Sequence, residues 1–127
     1  MGEVGVDIVE IDRIRIAVER HPSGFQRRVY TEIEWRQCSR SFASLAGRFA
    51  AKEAVMKALG VGGMAFRDIE IVRTPSGKPE VTLHGRMLRR AQRIGITRIG
   101  VTISHSRDNA VAVALAERED NPAGEHR

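Results

Sequence analysis

The segment Gly47–Gly60, GRFAAKEAVMKALG, constrains the fold more than any other. At roughly 100° per residue, Leu45, Phe49, Met56 and Leu59 form one apolar stripe. Ala43, Gly47, Ala50, Ala51, Ala54 and Ala58 form an opposite face small enough for another element to approach closely. A helix that is apolar on both sides is buried in its domain. Lys52 nevertheless falls near the centre of the apolar stripe, and Glu53 and Lys57 lie on the seam between the two faces. One reading is bland: long charged side chains snorkel out of apolar stripes, and Glu53 with Lys57 has the spacing of an i, i+4 ion pair. The other reading is a site whose ligand requires these charges beside a buried helix.

The remaining chain supplies partners for that helix. In EVGVDIV, Val4, Val6 and Ile8 alternate with Gly5, Asp7 and Val9, the period of a strand. IDRIRIAVER places Ile11, Ile14 and Val18 on one helical face, and Pro22 and Gly24 break it. Residues 25–40 read as broken helix leading into a helix over Phe42–Leu59, which Gly60 ends. RDIEIVR and EVTLH read as strands joined by the turn-rich TPSGKP. GRMLRRAQRIG is a short amphipathic helix with Met87, Leu88, Ala91 and Ile94 inward, and RIGVTIS and AVAVALA are strands joined by HSRDN. Local pairing of these strands predicts a mainly antiparallel sheet with helices packed on it, an α+β fold.

Length and composition set the bounds. At 127 residues and 42% hydrophobic, the chain is expected to form one domain over residues 1–116, with a disordered acidic tail over 117–127. No run of about 18 apolar residues exists to span a membrane, and no secretory signal is expected. The single Cys38 excludes an internal disulfide and a cysteine-based metal cluster, so the expected compartment is the cytoplasm. Net charge is +5, but residues 1–116 carry 19 basic against 12 acidic groups, an excess of seven. A basic body points to an anionic partner: nucleic acid, a phosphorylated ligand or an acidic protein.

Asp7 is the second anomaly, a carboxylate in an otherwise apolar strand. A buried carboxylate is costly unless paired, hydrogen-bonded or metal-bound. Together with Glu53 it suggests two carboxylates meeting in the core. Two carboxylates suit Mg²⁺, which keeps waters and borrows ligands from substrate phosphates. Lys52 and Lys57 would then neutralise those phosphates. The alternative for Asp7 is a helix N-cap or the partner of a buried arginine such as Arg48.

Gly5-Val6-Asp7 and the block Arg48-Phe49-Ala50-Ala51-Lys52-Glu53-Ala54-Val55-Met56-Lys57-Ala58 resemble the paired signature of the phosphopantetheinyl transferases. The short length and the N-terminal strand opening directly into an Arg-bearing helix resemble the small holo-[acyl-carrier-protein] synthase branch, and the blocks Asp68-Ile69-Glu70-Ile71, Gly77-Lys78-Pro79 and Val101-Thr102-Ile103-Ser104-His105-Ser106 extend the resemblance over residues 3–116. The resemblance implies a family fold, with transfer of the 4′-phosphopantetheine arm of coenzyme A to a serine of an acyl carrier protein and release of adenosine 3′,5′-bisphosphate. It implies that Asp7 and Glu53 bind Mg²⁺, and that Arg48, Lys52 and Lys57 hold coenzyme phosphates. The serine proton would pass to Glu53 or to water on the metal. His105 would bind the nucleotide end, its alternative being a hydrogen-bonded turn histidine. The Gly60–Met64 loop would either fold over the nucleotide or serve as a plain connection. The small branch forms trimers with active sites between subunits, so a homotrimer is expected. The acidic carrier protein would dock on the basic face of Arg13, Arg20 and Arg28, with Phe25 as its exposed aromatic; the alternative is a solvated face balanced by Asp12 and Glu19.

Two rival readings use the same residues. Arg86, Arg89, Arg90, Arg93 and Arg98 occur with no acid between them and could track phosphates of nucleic acid. Every aromatic residue lies at or before Phe66, however, leaving that half without a platform for stacking bases. These arginines otherwise read as a solvated face or as help for the coenzyme's 3′-phosphate. A non-catalytic carrier-protein binder is the other rival, and the intact Asp7, Lys52, Glu53 and Lys57 argue against it.

Overall fold

Strand β1 (Gly2–Glu10) pairs along its whole length with the last strand, β5 (Asn109–Arg118), which pairs in turn with β4 (Ile96–His105). The result is a three-stranded antiparallel sheet of order β1-β5-β4. A separate antiparallel hairpin is made by β2 (Ile69–Arg73) and β3 (Pro79–Leu83). Helices α1 (Ile11–Arg20), α2 (Pro22–Val29), α3 (Glu32–Cys38) and α4 (Phe42–Leu59) lie between β1 and that hairpin in sequence, and α5 (Gly85–Arg93) precedes β4. The computed structural model describes residues 2–63 and 65–119. No described helix is long and apolar enough to cross a membrane.

Helix α4 is the central element. From Leu45 to Leu59 only Glu53 and Lys57 escape burial, as their place on the seam requires. Its small face lies on Ala110, Ala112, Ala114 and Ala116 of β5, all buried, so helix and sheet approach closely. Leu45, Phe49, Met56 and Leu59 face the helices, the hairpin and the aromatic cluster. Tyr30, at the end of α2, donates its hydroxyl hydrogen to the Leu45 carbonyl at 2.7 Å.

Lys52 is 0% exposed, and its partner comes from α3: Nζ stands 2.7 Å from Glu34 Oε1, itself 0% exposed. The ammonium also donates to the carbonyls of Phe66 (2.8 Å) and Ile69. Glu34 accepts from the backbone N–H of Thr31 (2.9 Å) and, through its second oxygen, of Ile71 (2.7 Å). One ion pair thus joins α3, α4, the turn Phe66–Asp68 and β2. Burial pulls the Lys52 ammonium below the ordinary lysine range, and the Glu34 carboxylate opposes that shift.

Three expectations are corrected. Lys52 does not face a phosphate site, because all its donors are spent inside the core. Phe25 is not an exposed docking aromatic: it is 7% exposed, stacked on Phe49 at 6.1 Å and set edge-on to Tyr30 at 5.9 Å. Leu88 is 40% exposed, since α5 turns only Met87 and Ala91 fully inward. Strand β5 also runs through Arg118, two residues into the segment assigned to the tail; residues 120–127 and Met64 lie outside the described part.

The buried pair generates a prediction. Lys52→Met should lower unfolding free energy by about 3–5 kcal/mol, because it strands a buried carboxylate. Urea denaturation of Lys52→Met, Glu34→Gln and the double variant should give a double-mutant loss well below the sum of the singles.

Candidate active site

The Gly5-x-Asp7 spacing acts through steric contact. Gly5, Asp7 and Val9 share the face of β1 turned toward α4, whereas Val4, Val6 and Ile8 point away, each more than half exposed. A Cβ on Gly5 would stand 1.9 Å from the Ala54 carbonyl oxygen and 2.8 Å from the Ala58 nitrogen. Only glycine lets β1 settle on the alanine face of α4, and that approach brings Asp7 beside the seam. There Lys57 Nζ donates to Asp7 Oδ1 and to the Val6 carbonyl, both at 3.0 Å. Asp7 is therefore paired with Lys57, and neither an N-cap nor a partner for Arg48.

Glu53 lies one turn before Lys57 on the same helix. Partial burial and then the neighbouring Asp7 charge raise its carboxyl above the ordinary range, while Lys57 and Arg13 pull the other way. Two carboxylates thus stand close enough to feel each other's charge, with the Lys57 ammonium bonded to Asp7. Such a donor set fits a hard cation that fills its remaining positions from water and ligand oxygens. No cluster of three metal-ligating side chains occurs among the described residues.

Across the sheet is a second cleft, of about 230 Å³, lined by Gly47, Arg48, Arg73, Gly77, Pro79 and His105 among others. At this edge Gly47 lets α4 pack closely on β4: a Cβ there would stand 2.9 Å from Ile103 Cγ2. Arg48 is buried, with one guanidinium nitrogen bonded to the Ile71 carbonyl and the other to Gln37 Oε1 at 3.2 Å. Gln37 Oε1 also accepts from the Arg73 backbone N–H at 2.9 Å, tying the end of β2 to the same point. His105 is exposed at the end of β4.

The candidates therefore divide between places. Asp7, Glu53 and Lys57 meet on the β1 flank of α4, and Arg48 and His105 meet on the β4 flank, with β5 between them in the sheet. Gly60 (φ 72°) caps α4 in the left-handed conformation, about 20 Å along the axis from Gly47. It does not join His105 in this chain. Arg13, Arg20 and Arg28 are exposed on α1 and α2. Arg15 takes both Asp12 and Glu19 at 2.7 Å, so those acids balance part of the charge of this helix face, as the solvated-face alternative has it, and leave Arg13, Arg20 and Arg28 to the docking reading.

Glu34, Gln37 and Arg73 were missed. Glu34 had a signal: Thr31-x-x-Glu34 is a capping box, with the Glu34 N–H reaching Thr31 Oγ1 at 3.3 Å. A glutamate at the third helical position of a short helix is visible in sequence. Its distant lysine is not.

Residues 3–116 match the model of the 4′-phosphopantetheinyl transferase superfamily. Among similar proteins, the holo-[acyl-carrier-protein] synthase of Herpetosiphon aurantiacus is 49% identical over 120 residues, covering 87% of this chain and 94% of that protein. That of Moorella thermoacetica is 46% identical over 129 residues, covering 98% and 100%. The Helicobacter pylori holo-[acyl-carrier-protein] synthase crystallised with coenzyme A superposes with a TM-score of 0.82 at 35% identity, over 90% of this chain and 99% of that one.

The crowding of Glu53 predicts a stability effect. Well below the ordinary carboxylate range, folded and unfolded chains both hold Glu53 protonated, and it costs nothing. As pH rises, the unfolded chain ionises first, and above the raised folded value the charge destabilises the fold. Glu53→Gln should therefore raise the thermal midpoint in EDTA at neutral pH, and the gain should vanish below pH about 4. Differential scanning calorimetry across pH checks this.

Proposed function

The chain belongs to the 4′-phosphopantetheinyl transferase superfamily, and from that membership we propose that it transfers 4′-phosphopantetheine from coenzyme A to a serine of an apo acyl carrier protein, releasing adenosine 3′,5′-bisphosphate, in the cytoplasm. The observation that carries the reading is the meeting of Asp7, Glu53 and Lys57 at the rim of the buried helix.

Asp7 and Glu53 would hold Mg²⁺, which when bound supplies neutralising charge to a phosphoanhydride under attack. The chain's own part is positioning and electrostatics, the main requirements of phosphoryl chemistry. Lys57 has three N–H donors and spends two on Asp7 and Val6, so the third is available to a phosphate oxygen. Lys57 also holds Asp7 against α4, which keeps the two carboxylates together. In the other cleft, Arg48 and Arg73 give positive charge and His105 an exposed ring for the 3′-phosphate and nucleotide end.

Incubation with coenzyme A, Mg²⁺ and apo carrier protein should add a phosphopantetheine mass to the carrier. Asp7→Asn and Glu53→Gln should each remove most transfer, and the double variant should be little worse than either, because both remove the same unit. No mass gain with wild type, or near-normal turnover of Glu53→Gln at limiting Mg²⁺, overturns the assignment.

The reading includes a homotrimer with active sites between subunits. Two features support it. The two half-sites lie on opposite flanks of α4, so a second copy is needed to bring them together. The outer face of the sheet is also apolar: Val4 opposes Leu115, Val6 opposes Val113, and all four are exposed in a single chain. Contiguous apolar faces of this kind mark interfaces. The carrier protein, acidic by this reading, would meet Arg13, Arg20 and Arg28 beside Glu53, without Phe25. Light scattering should return a trimer, and Val6→Asp with Val113→Asp should give monomer and lose transfer. A fully active wild-type monomer would refute the interfacial site.

A further inference from the structure

Helix α5 presents Arg86, Arg89, Arg90 and Arg93, spaced i, i+3, i+4 and i+7, along one face. They do not merely project into solvent. With Gly60 and Val61, which follow α4, they line a concave site of about 340 Å³. Arg90 forms its wall: Nε donates to the Leu59 carbonyl at 2.9 Å, and a guanidinium nitrogen packs 3.2 Å from where a Gly60 Cβ would stand. That bond fixes the helix against the end of α4. Arg86, Arg89 and Arg93 are exposed, and none of the four pairs with a carboxylate among the described residues. Asp68 binds the Arg86 backbone N–H at 3.0 Å, where it caps the helix.

Three uncompensated guanidinium groups around a concavity repel one another until an anion fills it, and arginine forks match phosphate oxygens in pairs. The patch is about 10 Å long from Arg86 to Arg93, room for two or three linked phosphates and too short to track a nucleic-acid strand. Its lining holds no aromatic side chain, so recognition rests on the phosphates and not on a base. We propose that this cleft binds a small soluble anion carrying two or more linked phosphates, at a site separate from Asp7–Glu53 and from the Arg48–His105 cleft. Its volume is that of a small-molecule site.

The test is calorimetric titration of the full chain with sodium tripolyphosphate in low-salt buffer containing EDTA, which removes any contribution from a divalent ion. Binding should be one per chain and should weaken with added salt. Arg86→Gln, Arg89→Gln and Arg93→Gln combined should weaken it at least tenfold, and Arg93→Gln alone at least threefold. Lys57→Gln and His105→Ala should change it less than twofold, and the triple variant should keep the wild-type KM for coenzyme A. No binding by wild type, unchanged binding in the Arg93→Gln and triple variants, loss on Lys57→Gln or His105→Ala, or a raised coenzyme KM in the triple variant would each overturn the proposal. Recruitment to phosphatidylglycerol vesicles that tripolyphosphate fails to displace would also overturn it, by assigning the arginines to a membrane surface.

Discussion

The ion pair between Glu34 and Lys52 organises the molecule. Two opposite charges removed from water stay buried only when their remaining hydrogen bonds are met, and here they are: the ammonium has two carbonyls besides Glu34, and the carboxylate has two backbone N–H groups. These partners come from separate parts of the chain, so the pair forms only when α3, α4 and β2 are already in register. It fixes the rotation of α4 about its axis. With Lys52 inward, Glu53 is turned about 100° to the rim, and Lys57 follows it one turn later. The buried charged residue sets the direction of the two that reach the rim.

On its other side α4 is held by small residues. Gly5 and Gly47 are the contact points of β1 and β4, and the β5 alanines fill the span between them. Because the helix crosses the sheet from one edge strand to the other, it supports a carboxylate site at one edge and a basic cleft at the other. One rigid element thus sets both geometries, while the outer face of the same sheet stays apolar and exposed.

The treatment of charge differs between core and rim. In the core each charged atom has partners, and no described buried side-chain polar atom is left without one. At the rim Glu53 is kept beside Asp7 although partial burial and that neighbouring charge disfavour its ionisation. Local stability is given up there, as functional sites commonly require.

Sequence by itself determined the elements and their order. Helical periodicity bounded α4, Gly60 stopped it, and turn residues separated the strands, because these depend on contacts a few residues apart. It also identified Asp7, Glu53 and Lys57, since charge in an apolar pattern is anomalous wherever the chain folds. It did not determine what each face meets. Alternation in β1 groups Val4 with Val6 and Ile8 but does not say which group turns inward; the inward group is the one with Gly5, because only a residue without a side chain clears the Ala54 carbonyl. The docking expectation left Phe25 exposed on a basic face, whereas its ring stacks on Phe49, 24 residues later. Lys52 read as a phosphate ligand because its true partner, Glu34, is 18 residues away on another helix. Burial is a property of distant pairs brought together, so only the tertiary structure decided which lysine is sealed in the core and which one stands at the rim beside Asp7.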